Sequence, residues 1–375
     1  MSPSRRVAVF ISFFVLVLAL LVAAAPAQGG PACQYDAATQ TVLVVITPEA
    51  ERNAIRRSGD EISYRENPGA AGQGYQQCGI ATVHNTDRIE FQGSASDGIL
   101  IDLSRGHFAP GATAENNGLS EIEFSEAASS ELGRVSIRGT ENADSISCSG
   151  PGILLNGDND PDFETVDDIM NLGVDGEQGN DVVNLSQCFG QGGNQYSFGG
   201  NSGDDKLIGG AAFDYMGGGQ GDDVLRAGTN GGVLRGGLDD DFLTGRTGEY
   251  SMDGDKGRDR VLGGASDDHG LNGGFGDDVV KGGNGNDRLV GSAGNDRLRG
   301  QRGADSLSGS DGRDDIQGGA DADEVFGDEG KDNLEGSAGN DLIRGSEGND
   351  HLDGDAGVDE CDGGPGKDTK EDCER

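Results

Sequence analysis

Aspartates recur at every ninth position over much of the C-terminal half of the sequence, each preceded by two or three glycines. The clearest copy is residues 282–290, GGNGNDRLV, and the shared pattern is G-G-x-G-x-D-x-U-x, where U is a large apolar residue. An aspartate carboxylate is a hard oxygen ligand and turn carbonyls supply further oxygens, which is the ligand set that Ca²⁺ prefers. The glycines permit left-handed turns and a close approach of the backbone to an ion. The pattern therefore predicts calcium sites at the turns.

The candidate ligands are the aspartates in sixth place of each repeat, and they would hold on the order of ten calcium ions, the only cofactor that we expect. They are Asp205, Asp223, Asp241, Asp259, Asp278, Asp287, Asp296, Asp305, Asp314, Asp323, Asp332, Asp341, Asp350 and Asp359.

The apolar U positions indicate the elements that must hold these aspartates. Seven repeats fill residues 200–262, a unit of ten residues fills 263–272, ten repeats fill 273–362, and a degenerate unit starts at Gly363. Each x-U-x triplet predicts a short strand with U pointing inward. Every U position is apolar, which predicts a continuous core stripe: Leu207, Met216, Leu225, Leu234, Leu243, Met252, Val261, Leu271, Val280, Leu289, Leu298, Leu307, Ile316, Val325, Leu334, Ile343 and Leu352.

The pattern in residues 200–371 resembles the RTX nonapeptide family of calcium-binding repeats. The resemblance implies an all-β chain, a right-handed parallel β-roll or β-helix solenoid, with a less regular β region before it. It also implies that two repeats make one coil, so that units 18 residues apart stack on the same edge.

This arithmetic separates the aspartates into two columns. The first edge holds Asp205, Asp223, Asp241, Asp259, Asp278, Asp296, Asp314, Asp332, Asp350 and Asp368. The second edge holds Asp214, then Gly232 and Tyr250 in place of aspartate, then Asp267 and Asp268 in the ten-residue unit, and then Asp287, Asp305, Asp323, Asp341 and Asp359. We therefore expect calcium along the whole first edge but on the second edge only from about residue 287 onward.

Repulsion within these columns predicts that folding depends on the ion. Two carboxylates on stacked strands ~4.8 Å apart repel by roughly 3.5 kcal/mol at an effective dielectric constant of 20. Summed over one edge, the repulsion exceeds the ~5–15 kcal/mol by which a whole domain is stable. We expect residues 200–371 to be largely unfolded without Ca²⁺ and to fold when it binds.

Composition excludes some classes of protein. Lys and Arg number 28 against 67 Asp and Glu, which gives a net charge of −39, so nucleic acid is not an expected partner. The hydrophobic fraction of 33% is below that of an ordinary enzyme core, and with this charge it would favour disorder unless the carboxylates have an ordered role.

Residues 1–27 predict a secretory signal peptide, with Arg5 and Arg6 before an apolar run and Ala25-Pro26-Ala27 as the cleavage site. An uncleaved membrane anchor is the alternative, because Val7–Ala25 approaches the length that spans a bilayer. We favour cleavage of this segment, which predicts a secreted or cell-surface protein. We expect it to be a monomer, with cell-surface or extracellular matrix components as further partners.

All six cysteines follow this segment, and in an exported chain they indicate disulfides. Six cysteines allow 15 pairings, among which the sequence alone does not choose. Pairing of neighbours is our interpretation: Cys33–Cys78, Cys148–Cys188 and Cys361–Cys373. Cys361 occupies a U position, so a bridge to Cys373 would close the open end of the core.

The N-terminal region predicts strands at 41–47, 88–92, 98–103, 121–124 and 134–138. Residues 139–147 fit the repeat frame loosely and residues 176–184 fit it well. We divide the chain into a cap or small unit (28–79), degenerate solenoid turns (80–199), the calcium-binding roll (200–371) and an acidic tail (372–375).

The sequence contains no H-E-x-x-H or G-x-S-x-G motif, and its four histidines are scattered. The leading hypothesis is therefore a non-enzymatic calcium-binding protein with a structural, surface or adhesive role. The alternative is a secreted enzyme, for example one that acts on polysaccharides, with its site in 28–199 and the roll as a folding and export aid. A secreted toxin ranks lowest, because such toxins normally lack an N-terminal signal.

Overall fold

The structure is a computed structural model. It describes residues 195–374 without a gap and, before them, residues 33–38, 40–45, 53–58, 61–66, 75–82, 88–92, 94–95, 99–103, 123–126, 131–132, 134–140, 142, 144–149, 152–154 and 171–188. The predicted signal peptide lies outside the described residues. Within these ranges, no helix is long and apolar enough to cross a membrane.

The strands before the repeat array are β1 (Cys33–Asp36), β2 (Thr41–Val45), β3 (Asn53–Ser58), β4 (Glu61–Glu66), β5 (Gln76–Thr82), β6 (Arg88–Gln92), β7 (Ser94–Ala95), β8 (Ile99–Asp102), β9 (Glu123–Glu126), β10 (Glu131–Leu132), β11 (Arg134–Arg138), β12 (Ser145–Ser149), β13 (Gly152–Leu154), β14 (Asn171–Asp175) and β15 (Val182–Asn184).

The strands of the array are β16 (Gln195–Ser202), β17 (Lys206–Ile208), β18 (Phe213–Gln220), β19 (Val224–Arg226), β20 (Gly232–Leu238), β21 (Phe242–Thr244), β22 (Tyr250–Lys256), β23 (Arg260–Gly264), β24 (Gly270–Phe275), β25 (Val279–Asn284), β26 (Arg288–Ala293), β27 (Arg297–Arg302), β28 (Ser306–Gly312), β29 (Asp315–Ala320), β30 (Glu324–Gly330), β31 (Asn333–Gly339), β32 (Leu342–Gly348), β33 (His351–Asp353), β34 (Ala356–Gly357), β35 (Glu360–Asp362) and β36 (Thr369–Glu371).

Two parallel sheets run along the array. Sheet I has 16 strands and contains the even-numbered strands from β14 to β32, and sheet II has 14 strands and contains the odd-numbered strands from β15 to β33. Successive strands therefore alternate between the sheets, and each coil contributes one strand to each. The expectation of an all-β parallel solenoid is confirmed.

Strand register confirms the two-repeat coil. Leu207 pairs with Leu225 and Leu289 pairs with Leu307, 18 residues apart in each case. Across the predicted ten-residue unit the spacing rises to 19, because Val261 pairs with Val280. The insertion therefore lengthens one coil without shifting any U residue out of its column.

The core is a narrow stripe between the two sheets. All the predicted U residues from Leu207 to Leu352 are at most 4% exposed, and the residues beside them on each strand are half-buried or exposed. This alternation is that of strands with one face in a core and one in solvent.

Part of the described N-terminal region joins the same two sheets, whereas β1, β2, β6 and β9 form a four-stranded sheet and β7 pairs with β10. β8, β11 and β14 continue sheet I in parallel, and β12 and β15 continue sheet II. Strands lie at all five predicted positions. β3 still pairs with β8 in parallel, and the parallel stacking ends beyond β3, because β4 and β5 extend sheet I in antiparallel pairing.

Three disulfides join neighbouring cysteines, Cys33–Cys78, Cys148–Cys188 and Cys361–Cys373, which confirms the interpreted pairing. At the C-terminal end Cys361 is buried in the U column, and Lys370 takes the next U position without being buried. The Lys370 ammonium instead donates a hydrogen bond to the Cys361 carbonyl at 2.8 Å. The apolar stripe therefore ends in a disulfide and a lysine that folds back over it.

Candidate metal-binding edges

Backbone amides and aspartate carboxylates form a hydrogen-bonded ladder along the first edge, where the chain enters sheet II. The N–H of Asp205 donates to Oδ1 of Asp223 at 2.7 Å, and the N–H of Asp223 donates to Oδ1 of Asp241 at 2.8 Å. The same bond joins every later pair down to Asp350 and Asp368, with lengths of 2.7–3.1 Å. Each coil is thus tied to the next by one oxygen of a carboxylate.

The second edge, where the chain enters sheet I, carries the same ladder over its later part. It starts with the N–H of Tyr250, which donates to Oδ1 of Asp268, and Asp268 in turn donates to Asp287. The ladder continues through Asp305, Asp323 and Asp341 to Asp359. At its end the N–H of Asp359 donates to a carboxylate oxygen of Glu374 at 2.7 Å.

The second carboxylate oxygen, Oδ2, has no hydrogen-bond partner and is buried. This holds for all fourteen predicted ligands and also for Asp181 and Asp268. A buried carboxylate oxygen without a donor or cation is unfavourable, because it has lost its water and gained nothing in return. Each coil therefore presents one oxygen per occupied edge that lacks a positive partner.

The first glycine of each repeat makes room beside this oxygen. A methyl group on Gly291 would lie 2.4 Å from Oδ2 of Asp296 and 2.7 Å from the carbonyl oxygen of Gly309 in the next coil. The same clash recurs at Gly200, where a methyl group would lie 1.9 Å from Oδ2 of Asp205. Glycine is therefore required at this position, and it leaves a space bordered by a carboxylate oxygen and a carbonyl oxygen.

Burial and crowding act on the carboxylates in the same direction. Desolvation raises the pKa of Asp241 to about 8, and the charges of Asp223 and Asp259 add to this effect. Desolvation likewise raises the pKa of Asp223 and Asp259 to about 7. A negative charge is thus disfavoured at these positions unless a cation accompanies it.

The residues present fit a calcium ion. The partnerless Oδ2 atoms and the neighbouring glycine carbonyls are hard oxygen donors, whereas Zn²⁺ and Cu²⁺ sites favour nitrogen and sulfur ligands. The predicted aspartates would hold the ions. A bound divalent cation would supply the positive charge that the ladder lacks and would in this way stabilise the fold.

The second edge is interrupted where the sequence predicts. Gly232 and Tyr250 stand in place of aspartates, and the Tyr250 ring, only 2% exposed, occupies the space of the missing carboxylate. A methyl group on Gly245 would lie 2.5 Å from this ring, and the Tyr250 hydroxyl donates to the Gly228 carbonyl at 2.7 Å. The Tyr250 ring thus fills the space that a carboxylate and an ion would occupy at this position of the second edge.

Asp214 stands alone at the start of the second edge. Its Oδ2 accepts a hydrogen bond from the Gly228 N–H at 2.8 Å, whereas its Oδ1 is buried without a partner. Desolvation raises its pKa to about 7. It therefore lies outside the ladder that the later aspartates form.

The structure brings all fourteen predicted ligands into the two ladders, together with Asp268 and Asp368 of the predicted columns, and adds Asp144 and Asp181, which the prediction omitted. Asp144 donates its N–H to Asp181, and Asp181 donates to Asp205, which extends the first edge upstream. Asp268 joins the second edge, whereas its neighbour Asp267 is exposed. The good repeat frame at 176–184 was a usable signal for Asp181, but spacings of 37 and 24 residues hide the upstream column.

The family model of the RTX calcium-binding nonapeptide repeat matches residues 199–234, 251–269, 272–307, 299–334, 308–343 and 335–369. Between 199 and 369 these matches leave out residues 270–271 and 235–250, and the longer gap ends at Tyr250, where the second edge is interrupted. A search of curated proteins gave no match to the chain.

Proposed function

Residues 199–369 carry RTX calcium-binding nonapeptide repeats, and from this we propose that the chain is an exported structural protein whose solenoid assembles when calcium binds. The observation that carries the proposal is the row of buried Oδ2 atoms without partners, one per coil on each occupied edge. Each atom needs a cation, and the flanking glycines keep the space beside it open.

We also propose that calcium occupies the two edges of the solenoid unequally. We expect calcium along the whole first edge from Asp205 and on the second edge from Asp268 onward, one coil position earlier than the sequence suggested. The Tyr250 ring keeps the stretch between Asp214 and Asp268 free of calcium. A solenoid loaded in this way is a stiff rod, which suits a stalk, a surface layer or an adhesive module.

Export is supported by the cysteines. Three disulfides are typical of proteins that fold in an oxidising compartment, and they fit an extracellular protein. The predicted signal peptide agrees with this location. The proposal places the protein outside the cytoplasm, in contact with cell-surface or matrix components.

Calcium titration of the full chain tests the proposal. Metal-free protein is titrated with Ca²⁺ while far-ultraviolet circular dichroism reports strand content and calorimetry counts the ions. We expect little strand signal at first, a cooperative gain with calcium, and no comparable gain with Mg²⁺, which demands a stricter octahedral geometry. A chain that is fully strand-like in chelator, or that binds no calcium, would overturn the proposal.

The proposal also assigns no catalytic role. Apart from Asp102 and Asp214, the buried aspartates of the described residues belong to the two ladders, where from Asp181 onward each Oδ1 accepts a hydrogen bond from a backbone amide. Incubation of the calcium-loaded chain with a panel of polysaccharides tests this part. The release of reducing ends, abolished by a single substitution, would replace the structural role with an enzymatic one.

A further inference from the structure

The outer face of sheet II has a charge pattern that divides it into two halves. We define this face by the residues that flank each U position, whose side chains point away from the core. In β17 to β27 the charged members are all cations: Lys206, Arg226, Arg260, Lys281, Arg297 and Arg299. In β29 to β36 the fully charged members are all carboxylates: Asp315, Glu335, Asp353 and Glu371.

The remaining members of the face follow the same division. Apart from Thr244, the other members of the cationic half are apolar side chains, which are Ile208, Val224, Phe242, Leu262 and Val279. The anionic half carries polar ones, which are Gln317, Asn333, His351 and Thr369. A chain with a net charge of −39 has thus collected six of its cations on half of one sheet face.

The two halves neutralise each other only where they meet. Arg297 and Arg299 donate to Oδ2 of Asp315, at 3.1 and 2.8 Å. Within the described part of the chain, no carboxylate lies within 4.0 Å of the side-chain nitrogens of Lys206, Arg226, Arg260 or Lys281. Among the described residues, these four outlying cations therefore have no ion-pair partner.

We propose that the outer face of sheet II is a dimer interface, on which two copies of this chain pack antiparallel about a two-fold axis. The axis runs along the strand direction between β27 and β29, where the charges are already neutralised. It places β25 against β31, β23 against β33 and β21 against β36 of the second copy. β25 and β23, which carry Lys281 and Arg260, then face the anionic strands β31 and β33, and each contact occurs twice because the interface is isologous. Lys206 and Arg226, on β17 and β19, lie beyond the paired strands.

Side-chain reach is compatible with this register. Lys281 and Glu335 both follow a U residue, so they lie in the same column and face each other directly. Arg260 precedes a U residue and Asp353 follows one, so they are offset by two positions, about 6.6 Å along a strand. The arginine side chain spans that offset.

Charge selects a second copy over a polyanion as the occupant. The chain is strongly acidic, so it repels a polyanion at long range, whereas its own anionic half supplies the complementary surface at the matching spacing. The eight strands from β21 to β36 cover roughly 650 Å² per copy at strand dimensions of ~4.8 Å by ~17 Å, close to the ~800 Å² per partner of a standard interface. We expect a concentration-dependent dimer rather than a permanent one.

Charge-swap variants of the full calcium-loaded chain test this interface by sedimentation velocity over a range of concentrations. Arg260→Glu and Asp353→Arg should each weaken self-association by about tenfold or more, because each creates two like-charge contacts. An equimolar mixture of the two variants should dimerise again, since in the heterodimer each reversed charge meets a reversed partner. Raised salt should weaken the wild-type dimer.

Two variants on sheet I serve as matched controls. Arg288 occupies the same repeat position as Arg260, and Asp362 the same as Asp353, but both lie on the opposite sheet. Arg288→Glu and Asp362→Arg should leave the dimer unchanged, and circular dichroism in calcium confirms that all variants are folded. A wild-type chain that stays monomeric, controls that weaken the dimer equally, or a mixture that fails to dimerise would overturn the proposal.

Discussion

The backbone N–H of Asp241 donates to Oδ1 of Asp259 in the next coil at 2.8 Å, and Oδ2 of Asp259 is left buried without a partner. One carboxylate therefore has two roles. Its first oxygen connects neighbouring coils, and its second is available to a cation. Variants that separate these roles distinguish a calcium ligand from a structural turn residue.

Asp241→Asn keeps an oxygen that can accept the Asp223 amide but removes the charge and replaces Oδ2 with an amide nitrogen. We expect calorimetry to count fewer calcium ions and the folding midpoint to move to higher calcium concentration. The isolated loss should resemble the ~1.5–3 kcal/mol of a hydrogen bond to a charged group.

Asp239→Asn is the control for that variant, because Asp239 is exposed and has a φ of 77°, which asparagine tolerates. It should change neither the ion count nor the midpoint. Equal effects of the two variants would show that surface charge rather than ligation controls calcium binding.

Gly291→Ala tests the space beside the carboxylate. The added methyl group would lie 2.4 Å from Oδ2 of Asp296, so we expect destabilisation of about 1–3 kcal/mol and weaker calcium binding. Thermal unfolding in calcium measures the first effect and calorimetry the second.

Gly217→Ala is the matched substitution, because a methyl group there meets nothing within 4 Å. It should leave stability unchanged or raise it slightly, since alanine has less backbone freedom to lose on folding. If Gly291→Ala proved equally harmless, the space beside Asp296 would not be the ion site.

Protonation of the ladder aspartates at low pH should stabilise the folded state in part, as calcium binding does. The pKa of Asp241 is about 8 in the folded state, above the ~3.9 of an unfolded aspartate, so protonation favours the folded form. This stabilisation is fully present below about pH 4 and is lost as the pH rises through about 6 to 8.

In metal-free buffer we therefore expect strand content to increase as the pH falls from about 8 to about 5, together with weaker calcium binding because protons compete for the same oxygens. Circular dichroism and calcium calorimetry at several pH values measure both trends. Strand content that increased with pH in the absence of metal would contradict the assigned burial of the carboxylates.

Tyr250→Asp restores a carboxylate where the second edge is interrupted. The new side chain would take the space of the ring, next to Gly245, and its N–H would still donate to Asp268. We expect calorimetry to count at least one additional calcium ion. An unchanged ion count would show that the second edge is closed by more than the ring.

Tyr250→Phe is the companion variant, because it keeps the ring and loses only the hydroxyl, which donates to the Gly228 carbonyl and is hydrogen-bonded to the backbone of Arg246 and Gly248. It should cost about 1 kcal/mol and leave the ion count unchanged. A change in ion count with phenylalanine would mean that the hydroxyl itself takes part in calcium binding.

Removal of the last disulfide tests the C-terminal cap. Cys361→Ala combined with Cys373→Ala opens a short loop and frees Glu374 from Asp359, so we expect a loss of about 2–3 kcal/mol confined to the end of the solenoid. Hydrogen exchange should speed up in β35 and β36 and stay unchanged near Leu271. Uniform acceleration along the array would indicate that the solenoid unfolds as one unit.

The sequence alone was enough to predict the core positions and the ligand positions of the periodic part of the molecule. A U residue such as Leu298 and a ligand such as Asp296 follow from a strict spacing, because each coil repeats the environment of the one before it. The interruption at Tyr250 was predictable for the same reason, since it breaks an otherwise regular column.

Other features depend on contacts that spacing does not encode. Asp267 and Asp268 are adjacent, and only the path of the ten-residue unit decides which of them turns inward. Asp144 and Asp181 join the column across intervals of 37 and 24 residues, so no fixed period reveals them. The antiparallel strands β3 to β5 are held by pairing at one end of the stack, where no neighbouring repeat imposes a pattern.

The register of Leu207 with Leu225 sets the smallest step by which such a molecule can change its length. Insertion or deletion of one nonapeptide would exchange the two sheets for everything downstream, which would misalign Tyr250 and Cys361 with their partners. A gain or loss of a whole coil would keep every contact and both ends. Gene duplication can therefore lengthen this rod in steps of two repeats while the terminal pieces stay the same.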